Sequence, residues 1–181
     1  WCPKAKLTIA GQLPREVAPG EKYFEIRRAW KTGDTVTLEL PMPWRLVRGY
    51  SLLEGRVALM RGPVVYCLGT AANAELAKKF KNLGDLTIDP ASLGTPVADT
   101  SVRPGGLKVT ARAWAPGSEG KRPANADVVF TEFVDPSGVA TYFRVSDASK
   151  AVDDELTPGP AYAPEAAKPA APANPAKAAN Y

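Results

Sequence analysis

The sequence contains no histidine, and this absence excludes several kinds of site. Without histidine the chain cannot form a Ser-His-Asp triad or a Cys-His pair, and it lacks the commonest metal ligand in proteins. Only two cysteines are present, Cys2 and Cys67, and they are not spaced as a Cys-x-x-Cys pair. We therefore expect no metal site in this chain. Cys67 lies in an apolar run and is interpreted as a buried hydrophobe, and the sequence leaves open whether it pairs with Cys2.

Concentrated charge and long apolar runs are also missing. The net charge is +4, but the basic residues are scattered and cluster only at 78–81, so we expect no nucleic-acid partner. No apolar run approaches the ~20 residues of a membrane-spanning helix, so we expect no membrane partner. The first residue is Trp1 rather than Met, so a signal peptide would not be visible. For a soluble, bacterial-type protein, cytoplasmic and secreted locations both stay open.

Short stretches that alternate apolar and polar residues follow one another along the chain, as is typical of β-strands. In the clearest of these stretches, Val36, Leu38 and Leu40 are predicted to face a core, and the residues between them are predicted to face solvent. Tyr23–Arg27 also alternates, and Lys31–Asp34 has the composition of a turn. We predict an all-β fold, an antiparallel and jelly-roll-like β-sandwich.

Three parts of the chain differ in character. Residues 1–54 are predicted to be the C-terminal half of a first β-sandwich unit, and residues 55–157 a second, more complete sandwich domain. The only convincing helical stretch is 71–80. Residues 158–181 are rich in Ala, Pro and Lys and are predicted to form a disordered tail.

Two turns join pairs of apolar runs. Arg61-Gly62-Pro63 connects two core strands, with Gly62 free to adopt a positive φ. Asp135–Gly138 has the Pro and Gly positions of a type I turn and is predicted to close a hairpin between 128–134 and 139–145.

Three segments, taken in order and spacing, carry a family resemblance: Tyr23–Asp34, Leu38–Pro43 and Gly55–Leu68. Together they resemble the C-terminal β-sandwich region of glycoside hydrolase family 127, the β-L-arabinofuranosidase-like enzymes. Thr131–Phe143 is a further match. The resemblance covers about 1–156 and leaves out the tail.

The resemblance implies that an N-terminal (α/α)6 barrel, upstream of Trp1, carries the chemistry of the whole protein. There, a cysteine nucleophile held by zinc and a glutamate acid/base are implied. None of those motifs occurs in this sequence, so the resemblance assigns no catalytic residue to any position of it, and neither Cys2 nor Cys67 is read as the nucleophile. The implied partners are that barrel, in the same parent chain, and a second copy in a homodimer.

The sequence therefore predicts a non-catalytic portion of a glycoside hydrolase that supports the catalytic barrel and an oligomer interface. The parent is expected to act on L-arabinofuranosides or related plant glycans. The alternative is a carbohydrate-binding module that uses exposed aromatics. Trp114, beside a long loop, is the best candidate for substrate binding, whereas Trp30 and Phe143 are expected in the core.

An exposed aliphatic patch would favour a domain interface, and three or more coplanar exposed aromatics would favour glycan binding. We expect the patch, and with it a chain that is marginally stable or self-associates when isolated.

Three groups of charged residues have a functional and a simpler interpretation. Glu132 and Asp135 resemble an acid/base pair, but Asp before Pro is ordinary in hairpin turns. Asp153-Asp154-Glu155 resembles a cation site, but three consecutive acids rarely converge on one ion. Arg56 and Arg61 flank a strand, where they either contact a neighbouring domain or remain solvated.

Overall fold

The computed structural model describes residues 2, 4–17, 23–118 and 126–153. It is mostly β, with one α-helix and three short 3₁₀ helices in these ranges. The strands are β1 Ala5–Ile9, β2 Arg15–Val17, β3 Val36–Glu39, β4 Trp44–Arg48, β5 Val57–Arg61, β6 Val64–Gly69, β7 Thr87–Asp89, β8 Val97–Ala98, β9 Leu107–Trp114, β10 Ala126–Glu132, β11 Gly138–Ala140 and β12 Tyr142–Val145. The helix α1 is Ala74–Lys79, and the 3₁₀ helices are Ser51–Leu53, Leu83–Asp85 and Pro90–Ser92.

The larger sheet closes on itself as a six-stranded β-barrel. Its ring runs β6-β10-β9-β7-β12-β5 and returns to β6, because β5 pairs with both β12 and β6. β7 and β12 are parallel, and the other pairs of the ring are antiparallel. β4 pairs with β5, β8 with β9 and β11 with β6, outside the ring.

The prediction of an all-β chain is confirmed, but the prediction of an antiparallel, jelly-roll-like sandwich is wrong. In a sandwich the core lies between two sheets, whereas here it lies inside one closed sheet. Alternation identifies which residues face a core but not whether the edges of the sheet meet. The division at residues 54 and 157 stays a prediction, and the tail at 158–181 lies outside the described residues.

The second predicted turn, at Asp135–Gly138, is present, but the strands on either side of it do not pair as a hairpin. β10 and β11 both pair with β6, through Phe130↔Leu68 and Ala140↔Leu68. The expected hairpin is therefore wrong, because a third strand supplies the backbone partners for both arms. The first turn is confirmed, since Gly62 has a φ of 56° between β5 and β6.

The core of the barrel is made by residues that alternate along its strands. Phe130 and Phe143 pack at its centre with their ring centroids 5.0 Å apart, so Phe143 is in the core as expected. The buried cluster comprises Val57, Leu59, Tyr66, Leu68, Leu83, Leu86, Ile88, Val109, Ala111, Ala113, Val128, Phe130, Phe143 and Ala151.

Asn73, which immediately precedes α1, connects that helix to the barrel wall. Its buried amide donates to the carbonyl oxygens of Gly69 (2.9 Å) and Val129 (2.8 Å) and accepts from the Val129 N–H (2.8 Å). The side chain thus satisfies the backbone N–H and carbonyl of Val129 in β10, as a neighbouring strand would. The helix begins three residues later than the sequence predicts.

A separate three-stranded sheet, in the order β2-β1-β3, precedes the barrel. Leu7 lies opposite Leu38, and Ile9 opposite Val36, so their side chains share one face. Lys6 lies opposite Glu39 on the other face. In β1 and β3 one face is therefore apolar and the other polar, as the alternation predicts, whereas Arg15 of β2 lies opposite Leu7 on the apolar face.

The predicted strand at Tyr23–Arg27 is wrong, because these residues lie in no strand. Arg27 forms an ion pair with Glu25 at 2.8 Å, and Phe24 lies under the Arg15 guanidinium at 5.1 Å. Alternation alone does not make a strand, because a strand also needs a neighbouring backbone to pair with. The turn at Lys31–Asp34 is confirmed by a hydrogen bond from the Asp34 N–H to the Lys31 carbonyl at 3.0 Å.

Candidate functional site

The apolar face of the three-stranded sheet is the first candidate functional surface. Leu7, in the middle strand, is buried, but Leu38 is 54% exposed and Val36 44%. Leu40 and Met42, on the segment that leads to the barrel, are exposed as well. The prediction that Val36, Leu38 and Leu40 face a core is therefore wrong for this chain, because the described residues leave about half of each side chain exposed. This cluster, Val36, Leu38, Leu40 and Met42, is called the apolar patch below.

Among the described residues, the two outer strands of this sheet have no second neighbour. Within residues 4–17 and 23–118, β2 and β3 each pair only with β1. An exposed apolar face beside unpaired strand edges is the arrangement expected of a domain interface.

The aromatic candidates are placed differently from expectation. Trp114, at the end of β9, is only 5% exposed, so its expected exposure is wrong. Its role in substrate binding stays a prediction. Trp30, expected in the core, is 52% exposed and lies under the guanidinium of Arg28 at 5.3 Å. Tyr23 and Tyr50 are also exposed, on two other segments.

Glu132 ends β10 as a buried carboxylate, and its oxygens are occupied by neighbours. Arg103 contacts both oxygens, through Nε to Oε2 and through its terminal nitrogen to Oε1 at 2.9 Å. The Leu107 N–H donates to Oε1 at 3.1 Å. These bonds hold the loop before β9 against β10, a structural task for the residue considered as an acid/base candidate.

Asp135, the other member of that pair, stabilises its own turn. Burial raises the pKa of its carboxyl, but hydrogen bonds donated by Thr131 (2.7 Å) and by the Ser137 N–H (2.8 Å) outweigh burial and lower the pKa overall. A carboxylate held ionised in this way is poorly suited to donate a proton.

The two cysteines are both free thiols. Burial raises the pKa of the Cys67 thiol, which lies 3.8 Å from the Thr131 hydroxyl inside the barrel wall. Residues 2, 4–17, 23–118 and 126–153 contain no group of three or more Cys, Asp or Glu side chains placed to hold a metal ion. The zinc that the family resemblance implies belongs to the upstream (α/α)6 domain, so it stays a prediction.

Two further sequence candidates have clear positions. Arg56 donates to the Gly84 carbonyl (2.6 Å) and to Asp85 (2.8 Å), so it pairs within this chain. Asp153 pairs with Arg48 at 3.1 Å, whereas Asp154 and Glu155 lie outside the described residues. No helix in the described ranges is long and apolar enough to cross a membrane.

A family sequence model, that of the GH127 β-L-arabinofuranosidase middle domain, matches residues 1–42. This match contains all three strands of the small sheet and ends just before β4. No curated protein matches the chain closely enough to count.

Solved structures share the fold over most of the chain. The GH127 β-L-arabinofuranosidase Ara127N from Geobacillus stearothermophilus T6 matches with a TM-score of 0.58 and 24% identity, over 80% of this chain. The chain resembles a GH127 domain. A second GH127 β-arabinofuranosidase matches with a TM-score of 0.55 and 20% identity over 82% of the chain, and a glycoside hydrolase with 0.51 and 23% over 81%. The GH127-like chain spans 25%, 24% and 26% of these three structures, respectively.

Sequence reasoning missed two residues that the structure brings into tertiary networks. Arg103 lies in a Gly/Pro-rich loop and meets Glu132 only because β9 and β10 are neighbours. Asn73 was read as part of a helix, and its side chain bonds Val129 of β10 rather than capping α1, so the sequence carried no local signal of this role.

Proposed function

We propose that this GH127-like chain is a non-catalytic part of a glycoside hydrolase and that it docks onto the rest of that protein through the apolar patch. The observation that carries the proposal is the patch itself, on the sheet that the middle-domain family model matches. The occupant is the remainder of the middle domain, whose strands extend the sheet and cover its apolar face. The Ara127N structure is about four times as long as the part of it that this chain matches, so it contains further chain that can supply such strands.

The role of the barrel follows from its place after the small sheet. β4 starts a few residues after β3 ends and pairs along its whole length with β5, so the barrel is closely tethered to the docked sheet. We propose that the two together support the (α/α)6 catalytic domain and an oligomer interface, and that the whole protein acts on L-arabinofuranosides or related plant glycans.

The patch is tested with two substitutions on neighbouring residues of β3. Leu38→Glu places a charge on the apolar face, and Thr37→Glu places the same charge on the opposite face. We expect the isolated chain to bind the apolar dye ANS and to self-associate with increasing concentration in sedimentation velocity. Leu38→Glu should strongly reduce both signals, and Thr37→Glu should leave both near the wild-type level.

Two results would contradict the docking proposal. One is a wild-type chain that is monomeric at every concentration and binds no dye, and the other is an equal effect of both substitutions. Separately, the non-catalytic role predicts that the purified chain releases no reducing sugar from arabinose-containing oligosaccharides. Release of reducing sugar that saturates with oligosaccharide concentration and is proportional to the amount of protein would overturn that role.

A further inference from the structure

A cavity of about 260 Å³ opens at the barrel, between β4 and the 3₁₀ helix Pro90–Ser92. Its floor includes Leu59, Phe130 and Phe143, three residues of the barrel core that are almost fully buried. An apolar floor of this kind stabilises an apolar group and leaves a buried charge without partners. Ligand pockets usually hold about 300–1,000 Å³, so the cavity is of a size for one ring.

Trp44 forms one wall of the cavity and is held in a fixed orientation. Its ring meets Tyr66 edge-on, with centroids 4.8 Å apart and planes at 69°. The register Trp44↔Arg61 and Leu46↔Leu59 fixes which side of β4 faces the core. A pre-oriented aromatic wall favours binding because little side-chain freedom is lost.

The remainder of the lining includes two carboxylates and two cations, Asp89, Asp147, Arg45 and Lys150, which bring charge to an otherwise apolar site. Asp89 accepts a hydrogen bond from the Ala91 N–H at 3.1 Å, and Asp147 accepts one from the Ser149 N–H at 2.8 Å. The Ser149 bond is the main cause of a lowered pKa at Asp147, with a smaller contribution from the charge of Lys150. Carboxylates here accept hydrogen bonds, and Lys150 donates them.

This pattern of charges selects the class of ligand. Hydroxyl groups both donate and accept, so they fit a rim that carries carboxylates beside an ammonium. A ligand anion would meet Asp89 and Asp147, and a ligand cation would meet Arg45 and Lys150. A sugar alone would place its hydroxyls against the apolar floor, where they find no partner.

We propose that the cavity binds a neutral glycoside that carries an apolar substituent. The substituent enters the cavity beside Trp44, and the sugar hydroxyls remain at the rim with Asp89, Asp147 and Lys150. This site is distinct from the apolar patch and does not depend on the docking role of the chain.

Isothermal titration calorimetry on the full chain tests the ligand class with four probes. Phenyl arabinofuranoside is expected to bind at least about tenfold more tightly than methyl arabinofuranoside, because its ring removes more apolar surface from water in the cavity. Benzoate and benzylamine, which keep the ring but carry a charged group in place of the sugar, are expected to bind more weakly than the phenyl glycoside. A phenyl glycoside that binds no better than the methyl glycoside, or no better than either charged probe, would overturn the proposal.

Substitutions then place the binding at the cavity. Lys150→Ala is expected to weaken the phenyl glycoside several-fold, while Lys79→Ala, an exposed lysine of α1, should not. Ala91→Leu narrows the cavity at an exposed position and should abolish most binding, with Ala71→Leu as its control. Because Lys150 and Ala91 are both exposed, these variants are expected to fold normally. Equal effects of each substitution and its control would assign the binding to another part of the chain.

Discussion

The barrel and the small sheet are built from similar alternating strands, but they differ in what covers their apolar faces. In the barrel, closure of the sheet buries that face, and Phe130 is 0% exposed. In the small sheet the same kind of face leaves Leu38 half-exposed. The difference teaches that the barrel supplies its own core, whereas the small sheet leaves part of its apolar face exposed, which is the basis of the docking proposal.

The comparison makes its largest prediction for the stability of the barrel. Phe130→Ala should lower the free energy of unfolding by about 3–5 kcal/mol, because it leaves a cavity beside Phe143. Leu38→Ala should cost under about 1 kcal/mol, because its side chain is already half in water. Urea denaturation followed by tryptophan fluorescence measures both. Similar losses for the two variants would break the comparison.

A smaller effect is expected at the junction of α1 and the barrel. Asn73→Ala removes three hydrogen bonds and leaves the Val129 N–H and carbonyl without their side-chain partner, so it should cost about 2 kcal/mol. Asn82→Ala is the matched control, since Asn82 is exposed and only accepts from the Gly84 N–H. It should cost about 1 kcal/mol or less. An Asn73 effect no larger than the Asn82 effect would show that the amide does not support β10.

The two regions also show what sequence reasoning can reach. The alternation of β3 and the turn at Gly62 were predictable, because side-chain period and positive φ are local properties. The closure of the barrel was not predictable in this way. It depends on β5 pairing with β12, about 85 residues further along the chain, and no local pattern specifies that pairing.

The candidate sites follow the same division. The apolar patch could be anticipated, since Val36 and Leu38 had the pattern of a buried face and their covering strands were expected elsewhere. The cavity beside Trp44 could not, because its lining comes from β4, β7, β10 and β12, which meet only in the folded barrel. Trp114 shows a further limit of sequence reasoning. It precedes a long loop and was expected to be exposed, but it is buried.

The smallest expected effect is on the stability of the chain at acid pH. It tests whether polar contacts at the turns also stabilise the barrel. Since the pKa of Asp135 is lowered in the folded chain, its contribution to stability is complete above about pH 4, the ordinary range of an aspartate. The contribution is lost as the pH falls through the lowered value, where the bonds from Thr131 and Ser137 no longer meet a carboxylate. Asp135→Asn should therefore flatten the fall in stability at acid pH.

Urea denaturation at a series of pH values measures that slope. Glu39→Gln, on the polar face of the small sheet, removes the same charge without touching the barrel and should keep the wild-type slope. An unchanged slope in Asp135→Asn would show that the turn between β10 and β11 gains nothing from its ionised carboxylate. Acid sensitivity would then have to come from elsewhere, and the buried apolar core alone would account for the difference between the barrel and the small sheet.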